Sequence, residues 1–142
     1  MRVITGTARG RVLRTLEGED VRPTTDRVKE AVFSIIQFEI EGRRVLDLFA
    51  GSGQLGIEAL SRGAASATFV DMSKDSLSTV KYNLEHTKLG DNAKVVQTDA
   101  LSFLKLTKDR FDIVFLDPPY ASSLVVDSMK LLSDVVAAGG CA

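Results

Sequence analysis

The sequence predicts an α/β protein: a mostly parallel sheet with helices on both faces, preceded by an N-terminal β-hairpin and helix. Three observations predict it. From residue 45 onward, short apolar runs alternate with stretches of helical spacing, the pattern of strands buried on both faces. A glycine-rich turn, Gly51-Ser52-Gly53-Gln54-Leu55-Gly56, follows the first run and opens a helix. Four aspartates, Asp47, Asp71, Asp99 and Asp117, fall at the ends of four successive runs, and open α/β sheets bind ligands at the carboxyl ends of their strands.

At 142 residues the chain is long enough to bury a core as a single domain spanning 1–142. Residues 1–40 form its N-terminal hairpin and helix, and 41–142 its α/β core. Arg2-Val3-Ile4-Thr5 and Arg11-Val12-Leu13 read as two short strands joined by the turn residues Gly6 to Gly10. Arg2, Arg9, Arg11 and Arg14 lie in this segment with no acidic residue before Glu17. A basic flap of this kind suits phosphate contacts, although arginines that merely solvate a hairpin would look the same. Arg22-Pro23-Thr24-Thr25-Asp26-Arg27 offers caps for a helix that carries Val28, Ala31, Val32, Ile35 and Ile36 at helical spacing and stops before Gly42.

Val45-Leu46-Asp47-Leu48 is the first strand of the sheet. The helix after the glycine turn, Leu55 to Leu60, has Gly63 where a C-terminal cap is expected. Ala67 to Asp71 is a second strand. Ser73 caps a helix that buries Leu77, Val80 and Leu84. Lys94 to Gln97 is a third strand, Asp99 to Leu106 a short helix, and Phe111 to Leu116 a fourth strand. Ser122 or Ser123 opens a helix reaching Val136, and Gly139-Gly140-Cys141-Ala142 enters a fifth strand.

Gly51-Ser52-Gly53-Gln54-Leu55-Gly56, with Asp71 about 20 residues beyond, matches a dinucleotide fingerprint. Asp47 argues against a dinucleotide, because a pyrophosphate on the next helix would face its carboxylate. S-adenosylmethionine has no phosphate and carries a cationic amino group and a sulfonium, so a carboxylate at the mouth of the turn favours it. Asp71 can accept both ribose hydroxyls. Asp99 can accept from the adenine amine, with Ala100 leaving room for the ring. Any one of these aspartates could instead cap the helix that follows it.

Asp117-Pro118-Pro119-Tyr120 is stiff, because the prolines fix φ and remove two amide donors. Its carbonyls, carboxylate and flat ring suit a planar substrate with an exocyclic amine. Asp117 and the Pro118 carbonyl would accept from the amine while Tyr120 stacks on the ring. Read alone, the tetrad is equally well a turn that ends a strand.

A net charge of −1 excludes a uniformly basic nucleic-acid binder and leaves room for a local basic patch. The lone Cys141 cannot form an internal disulfide, and no apolar stretch is long enough to span a membrane. A cytoplasmic protein without a membrane partner is expected. His86 and Cys141 have no companions at metal-ligand spacing, so no metal site is expected.

Taken together, Asp47-Leu48-Phe49-Ala50-Gly51-Ser52-Gly53 and Asp117-Pro118-Pro119-Tyr120 resemble a class I S-adenosylmethionine-dependent methyltransferase that modifies amino groups. Arg9-Gly10-Arg11 and Arg22 to Glu30 narrow the resemblance to the RsmD family, which methylates N2 of a guanine in 16S ribosomal RNA. The resemblance covers essentially the whole chain. It implies a Rossmann-like class I methyltransferase fold, with S-adenosylmethionine as cofactor. Cofactor contacts would fall on Asp47, Phe49, Gly51, Gly53, Asp71, Met72, Asp99 and Ala100. Catalytic roles would fall on Asp117, Pro118 and Tyr120, and RNA contacts on Arg2, Arg9, Arg11, Arg14, Arg22 and Arg27. The partner would be 16S ribosomal RNA or the small-subunit ribosomal particle, met by a monomer. The family's sheet has seven strands, so the chain resembles a truncated member lacking the closing strands. DNA adenine or cytosine amino-methylation, a non-catalytic RNA-binding remnant and a nicotinamide oxidoreductase are the alternatives.

Overall fold

The computed structural model of the chain describes residues 3–4, 6–13, 31–34, 39–107, 109–116 and 136–141. The elements are β1 (Arg44–Leu48), α1 (Gln54–Ser61), β2 (Ser66–Asp71), α2 (Lys74–Thr87), β3 (Ala93–Gln97), α3 (Ala100–Leu106), β4 (Phe111–Leu116) and β5 (Val136–Cys141). The strand order is β3-β2-β1-β4-β5, and every pairing is parallel. The chain starts in the middle, runs outward through β2 and β3, and returns on the other side of β1. The carboxyl ends of β1 and β4 are therefore the topological switch point, the place where such sheets form their ligand crevice.

Alternation along β1 divides the core. Val45 joins Phe69, Ile113 and Phe115 under α1 and α2, whereas Leu46 and Leu48 join Val70, Val114 and the α3 residues Phe103 and Leu104. Both faces are covered, as the unbroken apolar strands require. At the amino edge, Arg44 fixes the β1–β4 register. Its backbone N and Nε donate to Asp112 Oδ2 at 2.9 and 3.2 Å, and its Nη2 to Oδ1 at 3.3 Å. The guanidinium holds the Asp112 carboxyl below the usual carboxylate range.

α1 is an eight-residue helix in which every residue is buried. The sheet covers one side and the N-terminal segment the other. Thr7 N donates to Ser61 O at 2.8 Å, Ala8 N to Ser61 Oγ at 3.0 Å and Ile4 N to Glu58 Oε1 at 2.7 Å. Gly6 is required in this contact. Its φ is +94°, and a Cβ there would lie 1.8 Å from Ser61 O.

The N-terminal hairpin differs from expectation. Val3 N bonds Arg11 O at 3.0 Å and Gly10 N bonds Val3 O at 2.9 Å, but the described part holds an isolated bridge at Val12 rather than two regular strands. The backbone donors of Ile4, Thr7 and Ala8 are committed to α1, which leaves too few for a ladder. A second difference concerns Val136. It begins β5 rather than ending the helix expected before it, since β-branched residues favour strands. The helix starts at Thr24–Asp26 and at Ser122 or Ser123 lie outside the described residues, although 31–34 are helical.

Gly56 sets how closely α1 approaches β2. A Cβ at this position would lie 2.4 Å from Phe69 Cε1 and 2.7 Å from its Cζ, and Phe69 is fully buried. Gly56→Ala gains about 1 kcal/mol in helix propensity. Forcing a methyl into a packed core costs about 1–3 kcal/mol, and a contact this short puts the cost at the upper end. The expected outcome is a lower denaturant midpoint; an unchanged or raised midpoint would show that the Phe69 ring swings clear.

Candidate functional site

The turn after β1 is held from three directions. Gly51 (φ 59°) and Gly53 (φ 84°) are left-handed, which glycine adopts without penalty. Phe49 is also left-handed, at φ 68°, and a bulky residue there marks a site whose surroundings impose the conformation. Ala50 N donates to Val70 O at 2.9 Å, and Gly53 N to Ala50 O at 2.8 Å. From α2, Asn83 Nδ2 donates to Ser52 O at 3.0 Å, a buried contact. Asn83 is invisible to pattern reading, because an asparagine mid-helix carries no spacing signal.

Asp47 sits beneath the turn rather than at its mouth. It is 1% exposed, and its Oδ2 accepts from Gly56 N at 3.0 Å. The cap residue Gly53 offers α1 no side-chain cap, so a strand carboxylate takes that place and meets the positive end of the helix. Asp71 ends β2 and ties two segments together. Its Oδ2 accepts from Gly51 N at 3.0 Å, and its Oδ1 from Ser73 N at 2.8 Å. One carboxylate thus fixes the glycine turn against the start of α2, with lone pairs remaining for a ligand. Between them Met72 is 71% exposed, an unusual position for an apolar side chain beside a crevice.

Asp99 is the N-cap of α3, accepting from Ser102 N at 2.9 Å and Ser102 Oγ at 2.7 Å. The Ser102 hydroxyl, then the Ser102 backbone N–H, hold its carboxyl below the usual range, so it is an anion at neutral pH. Ala100 is buried behind it. The structure therefore brings Asp47, Phe49, Gly51, Gly53, Asp71 and Met72 together around one turn, with Asp99 and Ala100 at the end of the edge strand β3.

β4 ends at Leu116, which pairs with Leu48. Asp117, Pro118, Pro119 and Tyr120 follow in sequence and lie outside the described residues, as do Arg2, Arg14, Arg22 and Arg27. Arg9 and Arg11 are exposed on the flap. The flap turn packs on Ser61, the last residue of α1 and thus about 12 Å, one helix length, from the glycine turn. These two arginines are not brought to the turn. His86 is exposed and stacks on Tyr82, ring centroids 5.9 Å apart. Among the described residues there is no group of three or more His, Cys, Asp or Glu able to hold a metal. No helix of the described residues is long and apolar enough to cross a membrane.

Known proteins are similar to this chain in sequence and fold. A family model described as conserved hypothetical protein 95 matches residues 1–139. YlbH of Bacillus subtilis is 44% identical over 137 residues, covering 94% of this chain and 74% of that protein. The ribosomal RNA small subunit methyltransferase D of Escherichia coli K12 is 43% identical over 134 residues, covering 94% of this chain and 67% of that protein. The solved structure of Escherichia coli yhhF superposes with a TM-score of 0.87 at 43% identity, over 96% of this chain and 74% of that one.

Proposed function

The chain belongs to the conserved hypothetical protein 95 family, that of the RsmD methyltransferases, and from this premise we propose that it methylates the N2 amine of a guanine in 16S ribosomal RNA. The match to ribosomal RNA small subunit methyltransferase D across 94% of the chain carries this reading. The partner is small-subunit ribosomal RNA, free or in its particle, and the chain acts as a monomeric single domain in the cytoplasm.

The residues of the crevice fit S-adenosylmethionine. Gln54 Oε1, at the first position of α1, is buried with no hydrogen-bond partner among the described residues. A buried acceptor of this kind is costly unless a donor reaches it, and an ammonium group is such a donor. Asp71 retains acceptor capacity for ribose hydroxyls, Met72 offers an apolar surface to a ring, and Gly51 and Gly53 leave the backbone approachable. Phe49 and Asp47 shape the turn from either side. Asp99 and Ala100 border the place for adenine. The cofactor, when bound, supplies a methyl group on a sulfonium.

The chain's own residues do the rest. Asp117 and the Pro118 carbonyl accept from the exocyclic amine and turn its lone pair outward. Tyr120 stacks on a base drawn out of its helix. No strong base is needed beforehand, since the amine becomes acidic only once methylated; Asp117 then takes the proton or passes it to water. Mass mapping of 16S ribosomal RNA with and without the protein tests the proposal: one added methyl on a guanine is expected, and an unchanged map refutes it.

Arg2, Arg9, Arg11 and Arg14 contact phosphates, and Arg22 and Arg27 continue that surface. Such contacts position the RNA and carry little sequence information. A quadruple Ala variant of the four flap arginines is expected to bind all RNA sequences more weakly. Its salt dependence should flatten by a slope of about 0.7–0.9 for each phosphate no longer neutralised. Cofactor affinity is expected to hold. An unchanged slope in a salt titration would mean that the arginines only solvate the flap.

A further inference from the structure

Glu58 lies in the middle of α1 and is fully buried. Its two oxygens serve different segments. Oε1 accepts from Ile4 N of the flap at 2.7 Å, and Oε2 accepts from Arg62 Nε at 2.8 Å. The Arg62 guanidinium carbon then lies 4.8 Å from the centroid of the Phe33 ring. Phe33, itself fully buried, sits 5.5 Å from the Phe115 ring at an interplanar angle of 50°. Phe115 belongs to β4, pairs with Asp47 and precedes Asp117 by two residues in sequence. An unbroken line of contacts thus runs from the flap to the end of β4.

Stability alone does not account for this ion pair. A buried pair replaced by apolar groups of similar volume is often neutral or stabilising. Position is the better account, since Glu58 can satisfy Ile4 and Arg62 together in few arrangements. Only arginine can donate sideways from Nε while its flat face covers a ring. Resting on the RNA-methylating reading above, we propose that Arg62 is a positioning residue which, through Glu58 and Phe33, pins the flap and the end of β4 in one arrangement. One ion pair thereby serves both RNA grip and methyl acceptance.

The test uses the full chain and the double variant Glu58→Gln/Arg62→Met, which removes both charges of the pair. Three results are expected: affinity for S-adenosylhomocysteine within about twofold of the parent, tryptic cleavage after Arg9 and Arg11 about tenfold faster, and kcat on 16S ribosomal RNA about tenfold lower. Arg62→Lys keeps the charge but not the stack and should fall between the two. Gly6→Ala displaces the flap from Ser61 with the ion pair intact. It should speed cleavage and raise KM for RNA while leaving kcat near that of the parent.

The proposal is overturned if the double variant keeps the parent's kcat, or loses cofactor affinity in step with turnover, which marks plain loss of fold. A drop in kcat for Gly6→Ala equal to that of the double variant also overturns it, because the pair would then have no effect of its own at β4. If the parent itself transfers no methyl to RNA, the functional reading fails instead. The pin is then judged by cleavage alone: faster cleavage of the double variant supports it and unchanged cleavage refutes it.

Discussion

Asp117→Ala is expected to remove most methyl transfer while cofactor affinity stays close to that of the parent. The carboxylate has two tasks in the proposed reaction: it accepts from the exocyclic amine, and in doing so it aims the lone pair. A charge-assisted hydrogen bond contributes about 1.5–3 kcal/mol. Orientation contributes more, since well-aligned reactants gain about 7–11 kcal/mol and a small misplacement can cost about 100-fold in rate. A loss of at least about 100-fold in single-turnover transfer of a labelled methyl group is therefore expected. Asp117→Asn keeps an oxygen that accepts and should retain part of the rate. Tyr120→Ala removes a stacking partner, with base stacking contributing about 1–3 kcal/mol, and should also lose most transfer. Calorimetry with S-adenosylhomocysteine separates the steps, because the glycine turn and Asp71 belong to β1 and β2 rather than to β4. Parent-like rates from Asp117→Ala would sink the amine-orientation mechanism.

What the chain discloses before folding is the local part. Apolar runs bounded by aspartate or glycine place β1 to β4 within a residue or so, because strands covered on both faces are nearly continuous in apolar residues, and even the edge strand β3, with Lys94 and Gln97 exposed, keeps Val95 and Val96 at its centre. Ser73 and Asp99 are legible as caps, and both do accept from a backbone N–H three residues on. The direction of a side chain is less legible. Asp47 lies at the end of a strand in the sequence, yet its carboxylate meets Gly56 N, a partner fixed only when α1 folds back across β1. Asp99 is expected to face an adenine, and in the fold both its oxygens also accept from Ser102. The flap carries the same lesson: four arginines without an acid suggest a surface role, but nothing in their spacing says that Gly6 and Ala8 will pack against Ser61.

Asp71→Ala should weaken S-adenosylmethionine binding through two losses at once. The first is direct: a charged acceptor for the ribose hydroxyls, about 1.5–3 kcal/mol, corresponds to roughly ten- to a hundredfold in affinity. The second is indirect. Gly51 N and Ser73 N both donate to this carboxylate, so its removal frees the glycine turn from the start of α2 and leaves two backbone donors to water. Asp71→Asn divides the two effects. The amide oxygen can still accept from one of these N–H groups, while its NH2 cannot accept from a ribose hydroxyl. If ribose recognition dominates, Asp71→Asn binds S-adenosylhomocysteine nearly as weakly as Asp71→Ala while melting close to the parent. If loop anchoring dominates, both affinity and melting temperature recover in proportion. An Asp71→Ala protein that binds the cofactor as tightly as the parent would place the ribose elsewhere and leave Asp71 as a strap for the glycine turn alone.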